Sequence, residues 1–553
     1  MTNFLNHYTL KYTPLSPIHI GTDESYQPGN YVIDDEAGAL YSFDSHAALA
    51  GLTASDRQQL LAIVNSKPDD TLLTKVQAFF HHHREKLLAF AMPPVPTASG
   101  IKSLYEKRMG KTAQHEGQGR RVINKLEIER TFYNPVNGQP LLPGSSIKGA
   151  IRTALLDGVN NAKPLIDRNE RNQQLQKRLF DGTFHTDPMR LVSIGDAGWQ
   201  GCADKPACQI QFAVNRKRHP VIKNGQLAKS QAEASNLYQL LECVVPHHYQ
   251  SFTGSLTLHN TQSVAQDNRK LPKQQLHWTA KDLAQACNAF YMPLFWQELA
   301  AMKERDYLNT DWLKQMEQLL GDGLLKRLDN GDAFLLRVGR HSGAEALTLN
   351  GVRSIKIMQG RGERPIWEKQ PLTWWLAADD VSNKQGLLPF GWLLVEINPK
   401  APDSALQQWL ENGSSDLSAW MQQQLAKQNA LKQKVELIQQ QEQQKIEAEQ
   451  QLAEQTRLQQ QADQQRLAEL SPLERDIEQL LKANKDPNKK DYLILLEAVK
   501  TGVWQDDNKE SVLVRVKSLM EQAGDWKPTT QKKDPSKDKE HSRTCEVLKL
   551  LGQ

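Results

Sequence analysis

The sequence predicts an α+β fold that is followed by a helical C-terminal region. Segments rich in aromatic and β-branched residues, typical of strands, occur near both ends of the stretch that runs to about residue 400. Helical segments lie between them without the regular strand–helix–strand repeat of a parallel sheet. After Pro402 the composition changes to Gln, Glu, Lys, Ala and Leu. These observations favour a mixed region joined to an all-helical one.

In the mixed region, turn residues and apolar patterns set the expected element boundaries. Gly21–Gly29 has the composition of a turn, and Asp69–Phe90 has the pattern of a helix. The predicted strands are Tyr8–Ile20, Asn30–Phe43, Lys125–Tyr133, Leu256–Leu258, Phe334–Val338 and Trp392–Ile397.

The C-terminal region begins with residues 418–470, which contain no Gly or Pro and predict one long helix or linker. Its apolar residues recur at mixed spacings, which leaves open a solvated helix or a helix that docks a partner. Ser471, Pro472 and Glu474 form a helix-start signature, and two or three short helices are expected up to about Asp525. Lys527–Arg543 is charged and poor in apolar residues, so a disordered linker is predicted there.

Charge and cysteine content limit the classes of function. Lys and Arg number 68 against 64 acidic residues, so any basic binding surface must be local. The 5 cysteines are scattered, which favours a reducing compartment, and Cys202 and Cys208 lack a second ligand pair for zinc. No apolar run is long enough for a membrane span. We therefore expect a cytoplasmic protein without cofactor, metal or membrane partner.

The most informative motif is Leu141–Arg152, where a strand end, a Pro-Gly turn and a helix start follow one another. Ser145 or Ser146 is expected to cap the helix, and the amides of its first turn suit a phosphate. Lys148 and Arg152 are four residues apart and share one helix face. The spacing of Gly144 and Gly149 also matches a nucleotide-binding P-loop, but Ala150 and Ile151 stand where Lys and Ser or Thr are required. An ordinary helix start with two solvated cations remains the alternative.

The run Pro143–Arg152 resembles the glycine-rich loop of the RAMP proteins of CRISPR systems, which reads Pro-Gly-Ser-Ser-hydrophobic-Lys-Gly before a helix with Arg. Further segments resemble the subunit-five family of type III-A Csm effector complexes, over roughly residues 8–397. These segments are Leu15–Thr22, Tyr26–Asp34, Asp187–Arg190, Ser193–Ala197, Arg340–Glu345 and Gly391–Leu394.

The resemblance implies tandem ferredoxin-like, RRM-related RAMP domains with helical insertions. The expected boundaries are residues 1–265 and 266–400 for these domains, 401–470 for the long helix and 471–553 for a small helical appendage. It also implies a non-catalytic subunit that caps the 3′ end of the guide RNA and supports its maturation and complex assembly in antiviral defence. The implied partners are guide RNA, a neighbouring backbone RAMP subunit, the small helical subunit, target RNA and host nucleases.

The residues expected to contact RNA are glycines, serines and basic side chains in glycine-flanked turns. They are Gly144, Ser145, Ser146, Lys148, Gly149, Arg152, Arg120, Arg121, Arg340 and His341.

Two other readings stay open at this point. The first is a RAMP endonuclease that uses His19, because RNA-processing members have an N-terminal histidine base, or Asp34, because sibling subunits use a loop aspartate with a metal. The residues themselves favour packing for His19 and a hairpin turn for Asp34. The second is an assembly scaffold that acts through the C-terminal helices.

Overall fold

The computed structural model describes the chain apart from residues 1–3, 67–70, 111–114, 117–119, 122–125, 168, 202–204, 247, 262–270, 359–361, 414–416, 506 and 533. For residues 115–116, 120–121, 223, 322, 411–413 and 507 it describes the backbone alone. The chain divides into two compact units, Met1–Leu437 and Ile438–Gln553.

The first unit contains two large sheets. In the first sheet all pairings are antiparallel, and the strand order is Ala333–Arg337, Trp392–Ile397, Leu5–Pro14, Phe252–His259, Ala197–Trp199 and Leu141–Leu142, with Val192–Ile194 also paired to Phe252–His259. The second sheet has the order Gly21–Tyr26, Ile128–Thr131, Tyr238–Val244, Cys208–Lys217, Thr373–Ala378 and Leu388–Pro389. Its pairing between Ile128–Thr131 and Tyr238–Val244 is parallel.

Short hairpins and helices complete this unit. The smaller strand groups are Tyr31–Asp34, Ala39–Ser42 and Val95–Pro96; His115–Glu116 and Arg120–Arg121; Ile222–Lys223 and Gln226–Leu227; and Ile355–Ile357 and Ile366–Glu368. The α-helices are Ser45–Gly51, Ala54–Val64, Leu72–His82, Arg84–Leu88, Ser99–Arg108, Gly144–Asn160, Asn172–Phe180, Gln231–Ala234, Ala280–Glu304, Thr310–Gln318, Leu325–Asn330 and Ser404–Gly413. The next helix, Leu417–Glu469, is called the long helix below.

The core of the first unit lies between the first sheet and two helices. Tyr291 of the helix Ala280–Glu304 donates a hydrogen bond from its hydroxyl to the Ala150 carbonyl at 3.0 Å, which joins that helix to the one after the glycine-rich loop. The fully buried Trp392 packs edge-on against Phe295, with 4.8 Å between ring centroids. These contacts fix the helix Gly144–Asn160 relative to the sheet.

The second unit contains the rest of the long helix and four shorter ones, Pro472–Ala483, Asp491–Lys500, Asp507–Gln522 and Lys539–Leu550. Their apolar faces form one buried cluster that includes Leu495, Val516 and Val547. No helix in the described part of the chain is both long and apolar enough to cross a membrane.

Several local predictions are confirmed. The strand Trp392–Ile397 has the predicted bounds, and the predicted helix 418–470 is the long helix. Ser471 accepts from the Glu474 amide while the Glu474 side chain accepts from the Ser471 amide, so the predicted capping box is present. Two of the expected segments differ from the prediction. Residues 21–26 of the expected turn form a strand because they pair with Ile128–Thr131.

The second difference concerns the expected disordered linker, because a helix begins at Lys539 within it. Asp538 caps this helix and also accepts a hydrogen bond from Thr530 at 2.9 Å. Such short-range capping outweighs the polar composition on which the prediction depended.

The two sheets draw strands from both sides of the predicted boundary at residues 265/266. In the first sheet Leu5–Pro14 pairs with Trp392–Ile397, and in the second Cys208–Lys217 pairs with Thr373–Ala378. The described contacts divide the chain only after Leu437. The tandem ferredoxin-like arrangement therefore stays a prediction.

Candidate nucleic-acid interface

The glycine-rich loop leads directly into a helix, but neither serine caps it. The helix begins at Gly144, so Ser145 and Ser146 already lie in its first turn and make no capping hydrogen bond. The Gly144 amide instead donates to Oδ1 of Asp196 at 2.7 Å. The predicted serine cap is thus wrong, because a carboxylate that lies about fifty residues away in sequence supplies the acceptor.

The two glycines of this loop have different surroundings. Gly144 is buried, and a Cβ atom there would collide with the carbonyl oxygen of Ile194, so glycine is required for packing. Gly149 is exposed, and a Cβ atom there would meet nothing within 4 Å. Open space beside a helical glycine allows another molecule to approach the backbone closely.

The two basic residues of the helix also differ. The Arg152 guanidinium forms a two-pronged ion pair with Asp187, at 3.0 Å from Nη1 to Oδ1 and 2.8 Å from Nη2 to Oδ2. Its Nε donates to Oε1 of Gln176 at 3.2 Å, and its Cζ lies 5.0 Å from the centroid of the Phe180 ring. Every nitrogen of Arg152 is therefore engaged within the protein.

Lys148 forms no ion pair with any described residue. Partial burial lowers the pKa of its ammonium group, the nearby Arg152 lowers it further, and Asp187 opposes this shift. A half-buried cation without a bound counter-charge gains by binding an anion. Of the two predicted basic contacts on this helix, the geometry favours Lys148.

The second glycine-flanked turn, Gly339–Gly343, packs against His19, which lies just before the strand Gly21–Tyr26. Gly339 has a φ of +81°, and a Cβ atom there would collide with the His19 carbonyl. The next amide, that of Arg340, donates to the same carbonyl at 2.8 Å. The Arg340 guanidinium forms an ion pair with Glu129, and its side chain is 38% exposed. Packing therefore requires glycine at position 339, while Arg340 stays accessible to solvent.

His341 follows Arg340 with a φ of +63°. Its Nε2 donates to Oε1 of Gln239 at 2.9 Å, and its ring stacks on Trp375 with 5.0 Å between centroids. Burial lowers its pKa to about 3, with a smaller contribution from Arg340. The imidazole is therefore neutral at pH 7, and one of its faces is already covered.

Comparison with known proteins matches residues 11–334 to the family model described as the RAMP superfamily. This is more than half of the 553-residue chain. The chain belongs to the RAMP superfamily. None of the curated proteins matches it.

Two solved structures are similar to this RAMP protein. One belongs to a cryo-EM structure of a Csm–crRNA–target RNA ternary complex of a type III-A CRISPR-Cas system, with 15% identity, a TM-score of 0.40, and coverage of 70% of this chain and 100% of that chain. The other is the crystal structure of T. onnurineus Csm5, with 14% identity, a TM-score of 0.39, and coverage of 70% and 99%.

The N-terminal histidine of this RAMP protein is fully buried. His19 donates from Nδ1 to the Glu242 carbonyl at 2.8 Å, and its Nε2 has no hydrogen-bond partner among the described residues. Burial lowers its pKa to about 4. A general base needs contact with the proton that it removes, and His19 is 0% exposed. Its predicted packing role fits this geometry better than catalysis does.

Asp34 lies at the end of a hairpin strand, next to the turn that leads to Ala39. Its Oδ1 accepts from the Glu36 amide at 3.2 Å, which is a turn contact, and its Oδ2 lies 2.6 Å from Nζ of Lys427 in the long helix. The turn interpretation fits this geometry. The lysine partner is 393 residues away in sequence, and no local pattern indicated it.

Other arginines of the first unit have different surroundings. Arg120 and Arg121 form a short strand opposite His115–Glu116, and their side chains lie outside the described part of the chain. In a basic run that is not among the predicted contacts, residues 216–219, Arg216 is buried and donates to the carbonyl of Val381 at 2.9 Å. Arg218 forms an ion pair with Glu345 at 2.6 Å. Both arginines of this run are therefore engaged within the protein.

Sequence reasoning missed a cleft beside the strand that precedes the glycine-rich loop. Its polar wall includes Glu24, Tyr26, Arg130 and Tyr133. The signal was available as an arginine and a tyrosine three residues apart, close before Leu141–Arg152. The strand pattern of this segment does not indicate that its side chains line a cleft.

Proposed function

We propose that this protein is a non-catalytic guide-RNA-binding subunit of a type III CRISPR effector complex. The observation that carries the proposal is the open space at Gly149, which follows in sequence a lysine, Lys148, that forms no ion pair with any described residue. A glycine inside a helix is less stable than alanine by roughly 0.5–1 kcal/mol. No described atom fills the space at Gly149. The close approach of a ligand to the helix backbone would explain why glycine occupies this position.

The RNA backbone fits this place better than the N-terminal end of the helix. The Gly144 amide is already bound by Asp196, whose carboxylate would repel a phosphate at that point. A phosphate that lies over Gly149 would meet Lys148 and avoid Asp196. Contacts of this type recognise the shape and charge of RNA, whereas sequence would be read by base pairing of the guide.

The absence of catalysis is part of the proposal and is supported by the charge states of the candidate residues. RNA cleavage requires a base, an acid and a cation at one phosphate. His19 is buried and neutral, Asp34 is held by Lys427, and Arg152 is held by Asp187. None of these three groups is available in this conformation.

The finer assignment follows from family resemblance. We infer a subunit-five-like position at the 3′ end of the guide RNA, tandem ferredoxin-like domains, and roles in guide maturation, complex assembly and antiviral defence. The inferred partners are a backbone RAMP subunit and the small helical subunit, with target RNA and host nucleases in contact during function.

Guide-RNA binding across a salt series tests the proposal. Lys148→Ala should weaken binding about five- to tenfold and lower the salt slope by about 1, because one phosphate contact is lost. Gly149→Ala should weaken binding without changing that slope. Lys314→Ala, which removes an exposed lysine from another helix, is the matched control. Wild-type affinity in both loop variants would contradict the proposal.

The same samples should leave RNA intact on a denaturing gel, with and without divalent cations. Cleavage that stops in His19→Ala or Asp34→Ala would instead establish the endonuclease alternative. The scaffold alternative has its own observation, since residues of the long helix after Leu437 are mostly exposed. It predicts that a chain ending at Leu437 binds RNA normally but fails to assemble with its partners.

A further inference from the structure

The cleft beside the strand Ile128–Thr131 has the dimensions of a small-ligand site. Its volume is about 920 Å³, near the upper end of the range for pockets that bind cofactor-sized molecules. Glu24, Tyr26, Arg130 and Tyr133 form one wall, and apolar side chains that include Met92 and Val136 line the rest. Met92 is 50% exposed and Val136 is 91% exposed, so apolar surface is available at the rim.

The polar wall is a stacked arrangement of one arginine and two tyrosines. The Arg130 guanidinium lies 3.8 Å from the ring centroid of Tyr133 and 4.7 Å from that of Tyr26. Its Nε lies 3.8 Å from Oε2 of the buried Glu242, an ion-pair distance that is too long for a hydrogen bond. Planar side chains stacked in this way provide flat surfaces on which a nucleobase can stack.

A carboxylate stands at the edge of this stack. The Tyr133 hydroxyl donates to Oε2 of Glu24 at 2.7 Å, and Nη1 of Arg130 lies 3.8 Å from the same oxygen. The Glu24 side chain is 58% exposed, so its remaining acceptor sites face solvent. A carboxylate in this position accepts hydrogen bonds from amino groups and repels carbonyl oxygens.

The cleft is joined directly to the glycine-rich loop. Tyr133 pairs with Pro140 across a tight turn, in which the Asn134 amide donates to the Gln139 carbonyl at 2.8 Å. From Pro140 the chain runs four residues to Gly144, a distance of at most about 14 Å. One bound oligonucleotide can therefore contact both places.

We propose that this cleft binds an unpaired nucleobase that carries an exocyclic amino group, adenine or cytosine rather than uracil. The base would stack on the face of Tyr133 that Arg130 leaves uncovered and would donate from its amino group to Glu24. Uracil has a carbonyl oxygen at the corresponding edge position. The inference rests on the proposed RNA-binding function and adds a base preference to it.

A nucleobase fits the cleft better than a phosphate or a protein segment. The described lining carries three carboxylates, those of Glu24, Asp44 and Glu242, against the one guanidinium of Arg130. This excess of acid disfavours an anion, whereas a neutral base needs flat apolar contact and a few edge acceptors. The stacked side chains of Arg130 and Tyr133 offer a flat surface, which suits a nucleobase better than it suits an extended peptide.

Fluorescence anisotropy with labelled oligo(A), oligo(C) and oligo(U) of about ten nucleotides, a length within known single-strand site sizes, provides the test. Wild-type protein should bind oligo(A) and oligo(C) about tenfold more tightly than oligo(U), as one hydrogen bond to a charged acceptor allows. Glu24→Ala should abolish this ratio, because oligo(A) and oligo(C) lose a hydrogen bond and oligo(U) loses the repulsion of its carbonyl oxygen. Tyr133→Leu should weaken oligo(A) binding about tenfold, while Tyr133→Phe should keep the ring and the preference. Glu304→Ala, which removes another exposed glutamate, is the matched control.

The ratio between oligonucleotides separates this inference from the proposed function. Lys148→Ala should lower the affinity for all three oligonucleotides equally and keep their ratio. Equal binding of the three by wild-type protein, or a ratio that survives Glu24→Ala, would overturn the cleft assignment and leave RNA binding intact. If no oligonucleotide binds, the proposed function fails. Binding of adenosine and of uridine to the protein is then measured by ligand-observed NMR to test the cleft alone. Absence of adenosine binding would then overturn the assignment and favour a protein segment as the occupant.

Discussion

Acidification from about pH 7 to about pH 5 should destabilise the first unit through two buried histidines. Burial lowers the pKa of His19 to about 4 and that of His341 to about 3, from an ordinary value of 6.5. The positive charge of Arg340 adds to both shifts. The folded protein therefore holds both rings neutral at a pH where the unfolded chain protonates them.

The sign and size of the effect follow from proton linkage. Below pH 6.5 the unfolded state binds more protons than the folded state. The full stability is therefore present above that pH, and it is lost as the pH falls toward the pKa values that the two histidines have in the folded state. At 1.36 kcal/mol per pKa unit, each histidine loses about 2 kcal/mol of stability between pH 7 and pH 5, or about 3–4 kcal/mol for the pair.

Urea unfolding followed by tryptophan fluorescence measures this loss. Only Trp504 and Trp526 of the 12 tryptophans belong to the second unit, so the signal reports mainly on the first. His19→Asn keeps an amide donor near the Glu242 carbonyl and removes the titrating ring, so its pH-dependent loss should be about 2 kcal/mol smaller than in wild type. His46→Asn removes an exposed histidine and should keep the wild-type dependence. A His19→Asn variant with the full wild-type loss would refute the reasoning.

Two further predictions concern packing at the loop and at the long helix. Gly144→Ala should destabilise the first unit by about 1–3 kcal/mol, because the added methyl group meets rigid backbone, whereas Gly149→Ala should stabilise it by about 0.5–1 kcal/mol. Thermal unfolding compares the pair, and equal midpoints would contradict the two assigned roles. Lys427→Met should cost about 1–2 kcal/mol by leaving the Asp34 carboxylate unpaired, a value reduced from that of a buried pair because Lys427 is 39% exposed. A double-mutant cycle with Asp34→Asn measures the coupling, and a coupling near zero would mean that the pair does not hold the helix.

The accuracy of sequence reasoning depended on how far apart the interacting residues lie in the chain. The long helix and the capping box at Ser471 were predictable because a helix and its cap are encoded within a few residues. Asp196 at the glycine-loop helix and Lys427 at Asp34 were not, because each contact joins distant segments through the folded sheets. The loop motif indicated the region of the site but not which of its charges remain available.

The strand Ile128–Thr131 connects the candidate RNA-binding residues to one another. The carboxylate of Glu129 holds Arg340 of the second turn, while Arg130 faces the cleft and stacks on Tyr133. The Thr131 amide donates to Oε2 of Glu242, whose own carbonyl holds His19. Because the same strand continues into the turn before the glycine-rich loop, a displacement of it would move both turns and the cleft together. If RNA binds as we propose, such a displacement would weaken the phosphate contacts and the base contacts together.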